Sequence, residues 1–228
     1  MADLPIVLPH GGYKKLVAYR KSDTIYLGTV VFCRRFLPKF GDRTVDQMTQ
    51  AARSCKQNIA EGSASSGTSK ETEIKLTNVA SASLDELLED YEDYLKSNGL
   101  SRWSSTDRRY LAARRKAIEN PDWAYWQAVF ESRPAETLCN LQLTLIRQTQ
   151  SLIAGMIKRQ EADFKKFGGV RERMHAARTA ARGESWDASI YSRLDGAKTI
   201  TELHARADEI RCRIDSLLLS IKRKKGWA

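Results

Sequence analysis

Proline is scarce in this 228-residue chain, five residues in all, so long stretches are free to be helical. Histidine is scarcer still. His10, His175 and His204 are the three, and none stands at a ligand spacing from a cysteine. The four cysteines, Cys33, Cys55, Cys139 and Cys212, are far apart and form no C-x-x-C, which argues against a zinc site or a disulfide framework. Cys33, Cys55 and Cys139 sit among apolar neighbours and read as buried free thiols, as suits a reducing cytoplasm. No apolar run approaches the ~20 residues needed to cross a bilayer. The opening "MADLPIVLPHGG" lacks the charged head and apolar run of a signal peptide. A cytoplasmic location with no membrane partner is expected, and no catalytic residue, cofactor or metal is assigned.

What is abundant points to helices. Ala, Leu, Lys, Arg and Glu are numerous, and 42% of residues are hydrophobic, enough for a buried core. The net charge of +10 favours an acidic partner such as nucleic acid. Charge is uneven along the chain. Residues 1–57 carry +6, residues 58–98 carry −6, residues 99–157 carry +3 and residues 158–228 carry +7. The acidic part holds "DELLEDYED", six acids in nine residues. They form either a solvated face or a surface for a basic helix of an adjacent subunit.

Periodicity gives the elements. "TIYLGTVVFCRRFL", residues 24–37, has apolar rows at 25, 29, 32, 36 and at 26, 30, 33, 37, a helix with a broad buried face ended by Pro38 and Gly41. Thr44 and Gln47 predict a capping box. Val45, Met48, Ala52, Cys55 and Ile59 follow as a heptad-like seam, beside a row of small and polar residues, Ala51, Ser54, Asn58 and Glu61. Such a row allows close approach of another helix, a subunit interface among the candidates. Gly62 is placed as the left-handed residue closing that helix, and Thr68 with Glu71 as the next cap. A helix over 69–97 carries the stripe Leu76, Ala80, Ser83, Leu87, Tyr91 and Tyr94. Residues 101–133 are basic and aromatic, and Pro121 divides them into two short helices. Pro134 opens a long helix to about Phe167, stopped by Gly168 and Gly169. "VRERMHAARTAARG" reads as a basic helix, 184–199 as a linker, and 200–225 as an amphipathic helix ending in "KRKK".

Asn58 and Glu61, just before the "GSASSG" break, either bind a ligand or hold a helix joint, since buried amides and carboxylates need partners. Arg34, Arg35, Lys39, Arg53 and Lys56, with Lys222, Arg223, Lys224 and Lys225, suit phosphate contact. A solvated face is the alternative, and the tail can equally complement the helix dipole. Trp103, Trp123 and Trp126 either stack on unpaired bases or bury against the bundle. The acids Asp85, Glu86, Glu89 and Asp90 have metal-like spacing. A carboxylate metal site in a bundle, however, usually adds Glu-x-x-His from facing helices, and no such motif is expected here.

"RSCKQNIAEGSASSGTSKETEIKLTNVASASLDELLEDYEDYL", residues 53–95, resembles bacterial four-helix bundle proteins encoded in intervening sequences of large-subunit ribosomal RNA. That group includes the accessory variability protein of diversity-generating retroelements. The Asn-Ile-Ala-Glu-Gly turn and "SLDEL" carry the resemblance. The later "RPAETLCNLQLTLIRQTQSLIAGMIKRQEADFKKFGGVRERM" resembles the suffix-domain subset, in which the last bundle helix passes a Gly-Gly turn into a basic helix. The resemblance implies a bundle that self-assembles into a small ring, a pentamer in the retroelement members. It also implies a surface that binds RNA or DNA and docks a reverse transcriptase, with no catalysis.

The expectation is therefore an all-α protein. An antiparallel four-helix bundle spans 13–167 with an inserted helical segment at 101–133, a basic suffix helix at 168–183, and a C-terminal helical extension at 184–228. It is expected to act as a non-catalytic, homo-oligomeric nucleic-acid-binding scaffold, accessory to a reverse transcriptase or another nucleic-acid enzyme. The alternative is a protein-interaction module of a mobile-element or defence system, whose last helix pairs with another protein.

Overall fold

The computed structural model describes residues 7, 10–37, 43–194 and 200–225. A 3-10 turn at Tyr13–Lys15 leads into α1 (Val17–Phe36), α2 (Arg43–Ser65) and α3 (Lys70–Ser97). Two short helices follow, α4 (Arg108–Glu119) and α5 (Trp123–Ser132), and then α6 (Ala135–Phe167), α7 (Val170–Leu194) and α8 (Ile200–Lys225). The chain divides into two units, Met1–Arg171 and Glu172–Ala228.

In the first unit α1, α2, α3 and α6 make a four-helix bundle. The main contacts run α1 to α2, α2 to α3, α3 to α6 and α6 back to α1, so the four rods close a square. Cross-links fix an antiparallel register at each edge. Lys56 meets Asp23 at 3.1 Å, Ser83 Oγ donates to Ser54 Oγ at 2.9 Å, and Gln160 Nε2 donates to Glu73 Oε1 at 3.2 Å. Gln142 Nε2 donates to the Ile25 carbonyl at 3.1 Å. Phe32, Tyr91, Leu84, Leu87, Met48, Ile59, Leu145 and Ile146 fill the interior. Across the square, the Tyr91 hydroxyl donates to Thr29 Oγ1 at 3.0 Å. Burial holds that phenol well above its ordinary pKa.

The insert is part of this core. α5 packs on α1 and α4 on α6. The last carbonyls of a helix have no partner within it, and α1 supplies partners for those of the insert. Lys21 Nζ donates to the Ala117 carbonyl of α4 and Arg35 Nη1 to the Phe130 carbonyl of α5, while Thr24 Oγ1 donates at 2.8 Å to the Pro121 carbonyl in the loop between them. The two cations also complement the negative C-terminal ends of α4 and α5. Phe130 is fully buried, with its ring 5.5 Å from Trp123. Gly28 makes room for it: a Cβ there would stand 2.7 Å from the Phe130 ring and 2.5 Å from Gln142 Nε2. Trp103 and Trp126 are buried, and Trp123 packs against the same core. The tryptophans are thus packing residues.

Four expectations are corrected. Gly62 does not close α2, which continues to Ser65. Gly62 is buried against α3, where a Cβ would stand in ordinary contact, 3.4–3.6 Å from Glu73 O, Leu76 Cβ and Thr77 Oγ1, so the approach of α3 does not require a glycine. The cap of α3 is Ser69, whose hydroxyl accepts from Thr72 N at 3.1 Å, and not Thr68. Residues 184–194 continue α7; Trp186, Ile190 and Leu194 stand four apart, a helical spacing inside what reads as a linker. The rest of that stretch, 195–199, lies outside the described residues, as do Pro38, Lys39 and Gly41. α2 is already helical at Arg43, so Thr44 stands inside the first turn. Pro121 and Pro134 divide helices as expected, and Gly168 adopts φ 64° at the end of α6.

Candidate nucleic-acid interface

The expected cationic residues have different fates in the fold. Arg34 and Arg53 are exposed. Arg35 is engaged with the Phe130 carbonyl and lies 4.6 Å from the Phe36 ring centroid. Lys56 pairs with Asp23 at 3.1 Å and lies 4.3 Å from the Tyr26 ring centroid. That pair sets the register of α1 against α2. Along the bundle axis it leaves Arg34 about 16 Å away and Arg53 about 4–5 Å away, so they are not one cluster. Lys222, Arg223, Lys224 and Lys225 are exposed on the last turn of α8, in the second unit.

The small row on α2 serves the fold of the single chain. Ala51 is buried. Ser54 faces Ser83 of α3. Asn58 Nδ2 donates to the Ser54 carbonyl at 2.8 Å, and Glu61 is exposed. The joint after it is held by the N-terminal segment, with Gly11 N donating to the Ser63 carbonyl at 3.0 Å and Ser63 Oγ to the Gly11 carbonyl at 3.1 Å.

The fold brings forward a group that the sequence alone does not single out. α4 carries Arg108, Arg109, Arg114, Arg115 and Lys116, all exposed. The acids near them are each tied. Asp107 and Glu136 bind Arg109 at 2.9 and 3.5 Å, and Glu119 binds Lys116 at 3.1 Å. Asp122 accepts from Arg20 Nε at 2.6 Å. Arg108, Arg114 and Arg115 have no ion pair among the described residues. The run "RRYLAARRK" was the available signal, masked by the aromatic residues around it.

Beside α4 lies a cleft of about 540 Å³ between α1, α4 and α6, with Lys21, Arg114, Arg147, Tyr110, Gln148 and Leu152 among its lining. No acid lines it. Lys21 is 3% exposed and has no carboxylate partner among the described residues; its ammonium donates to the Ala117 carbonyl and to Gln148 Oε1. Burial pulls its pKa down from 10.5 to about 8. Between those values the folded chain has lost a proton that the unfolded chain keeps, so this residue's contribution to stability improves as pH rises from about 8 to 10.5. The stability of the native protein minus that of Lys21→Met is expected to increase across that window, read by urea unfolding at each pH. A difference that stays flat contradicts an unpaired buried ammonium.

The acids gather elsewhere. Glu86, Glu89, Asp90 and Asp93 of α3 line a groove with Asp46, Gln47 and Gln50 of α2. Burial and then the neighbours Asp93, Glu86 and Glu89 push the Asp90 carboxyl above its ordinary pKa. In the square, the α2–α3 edge is opposite the α1–α6 edge that the insert covers. The bundle is therefore polarised, acidic on one side and cationic on the other.

No protein-family model, curated protein or solved structure matches the chain. Among the described residues no three His, Cys, Asp or Glu side chains gather as a metal site, and no helix is long and apolar enough to cross a membrane. One Glu-x-x-His spacing does occur, Glu172 to His175 on α7, without the second copy on a facing helix that a bundle site uses.

Proposed function

We propose that this chain is a non-catalytic scaffold that binds RNA or DNA through the cationic side of its bundle. The observation that carries the reading is the set Arg108, Arg114 and Arg115 on α4, exposed and without ion pairs among the described residues, beside an acid-free cleft. Phosphate contact suits such groups. Arginine presents a fork that matches phosphate oxygens, and each neutralised phosphate releases counterions. Arg34 on α1 and Arg53 on α2 are further exposed cations, outside this α4 set. No base-reading motif is present, so recognition is of backbone or shape.

The resemblance to intervening-sequence and retroelement bundle proteins extends the proposal. The protein acts in the cytoplasm as a homo-oligomer, a pentamer in the retroelement pattern, and docks a reverse transcriptase or another nucleic-acid enzyme. Ala51, Ser54, Asn58 and Glu61 border the surface proposed for that assembly, with Asn58 and Glu61 its accessible members.

The test is a salt titration of the full chain against a labelled mixed-sequence duplex and the matching single strand. Binding at about 50 mM salt that falls linearly in log affinity against log salt, with a slope of about −0.9 per phosphate contact on duplex, is the expected result. Absence of binding at low salt refutes the proposal.

A further inference from the structure

The second unit contains a helix with an apolar side that is exposed among the described residues. On α8, Leu203, Ile214, Leu217 and Ile221 are 39–48% exposed. Their spacing is not random. Ile200, Ala207, Ile214 and Ile221 are seven apart, and Leu203, Ile210 and Leu217 are seven apart and interleaved with them. These are the a and d positions of three heptads, with β-branched Ile at a and mainly Leu at d, the choice that suits a two-stranded parallel coiled coil. Leu218 widens the seam at one e position.

The charges on either side of the seam say what its partner is. The e and g positions hold His204, Arg206, Arg211 and Arg213, while the acids Glu202, Asp208, Glu209 and Asp215 all fall at b and c, away from the seam. A second copy in parallel would set Arg206 against Arg211 of the other chain. In antiparallel it would set e against e and g against g, again cation on cation. Like charges across such an interface weaken pairing. A membrane surface is the weaker fit. The stripe follows the narrow 3.5-residue period, and residues 200–225 hold no Trp or Phe to anchor at a lipid interface.

We infer that α8 is one strand of a two-stranded coiled coil whose other strand is a helix of another protein with Glu or Asp at its e and g positions. This stands on the second unit alone and does not depend on nucleic-acid binding by the bundle.

Two synthetic three-heptad peptides test it, both with Ile at a and Leu at d, one with Glu and one with Lys at every e and g. Calorimetry with the full chain should show the Glu peptide binding and the Lys peptide about 100-fold weaker or not at all. Leu217→Asp should abolish binding. Arg211→Glu with Arg213→Glu, which leaves the apolar seam intact, should invert the preference between the peptides. Equal binding of both peptides, or of neither, overturns the inference. So does self-association of the full chain that Leu217→Asp removes, which would make a second copy the occupant. Binding to phosphatidylserine vesicles without peptide selectivity would assign the face to a membrane and overturn it as well.

Discussion

Phe130→Ala is expected to cost about 3–5 kcal/mol of unfolding free energy, the range for deleting a fully buried aromatic ring. For a unit of this size that is a fall of about 10 °C or more in Tm. The size of the effect follows from where the residue sits. Phe130 lies on the insert, yet its ring is sealed between Gly28 of α1, Gln142 of α6 and Trp123. The same geometry predicts coupling. Gly28→Ala alone drives a methyl into the ring and should be strongly destabilising, whereas in the Phe130→Ala background the ring atoms are gone and the added cost should shrink. A double-mutant cycle by urea unfolding measures both. If Phe130→Ala costs under about 1 kcal/mol, the insert is a surface appendage and the packing described for it is wrong.

Arg114→Glu with Arg115→Glu is expected to have the largest effect on binding. Each reversal removes a phosphate contact and adds a repulsion. Affinity for a mixed-sequence strand should fall about 30-fold or more at 100 mM salt, and the salt dependence should become shallower by about two contacts. Both side chains are exposed on α4, so the fold should tolerate the change, which circular dichroism and Tm would verify. Glu86→Gln with Glu89→Gln, on the opposite edge of the bundle, should leave affinity unchanged or slightly raised. Equal losses from both pairs would mean that the polarity of the bundle does not orient the ligand.

Much of the bundle is legible in the sequence. Helical spacing locates the rods of α2, α3 and α6, and Pro121 marks the break between α4 and α5 and Pro134 and Gly168 the ends of α6 because they act through the backbone, independently of tertiary context. α1 is harder. Its first turns hold Lys21, Ser22 and Thr24, all buried, and polar residues break an apolar stripe. Lys21 and Thr24 donate there to carbonyls of the insert, a demand visible only in three dimensions, while Ser22 bonds back to Tyr19 O of its own helix. α6 shows the converse. Residues from Leu138 to Ile146 are all buried, although only one stripe looks apolar, because the bundle covers one side and the insert the other. Gly62 misleads in another way. A glycine before a polar loop signals a helix end, but a helix can also run through it at modest cost, and here α2 continues to Ser65.

The candidate site is less legible. Arg35 and Lys56 look free in the sequence but are engaged inside the fold, and no local pattern announces a carbonyl or a ring that arrives from 30 or 95 residues away. Net charge indicates the class of partner. It does not show that the acids on the α4 side are tied into ion pairs while Glu86, Glu89, Asp90 and Asp93 of α3 are collected on the far edge, and that segregation is what selects one face.

Photo-cross-linking of a bound mixed-sequence strand to the full chain at about 50 mM salt, followed by identification of the modified peptides, tests that selection most directly. Cross-links on residues 108–119 and on the neighbouring parts of α1 and α6, with none on residues 85–93, are the expected result. Cross-links concentrated on the α2–α3 groove, or confined to α8, would contradict a cationic bundle face as the binding surface.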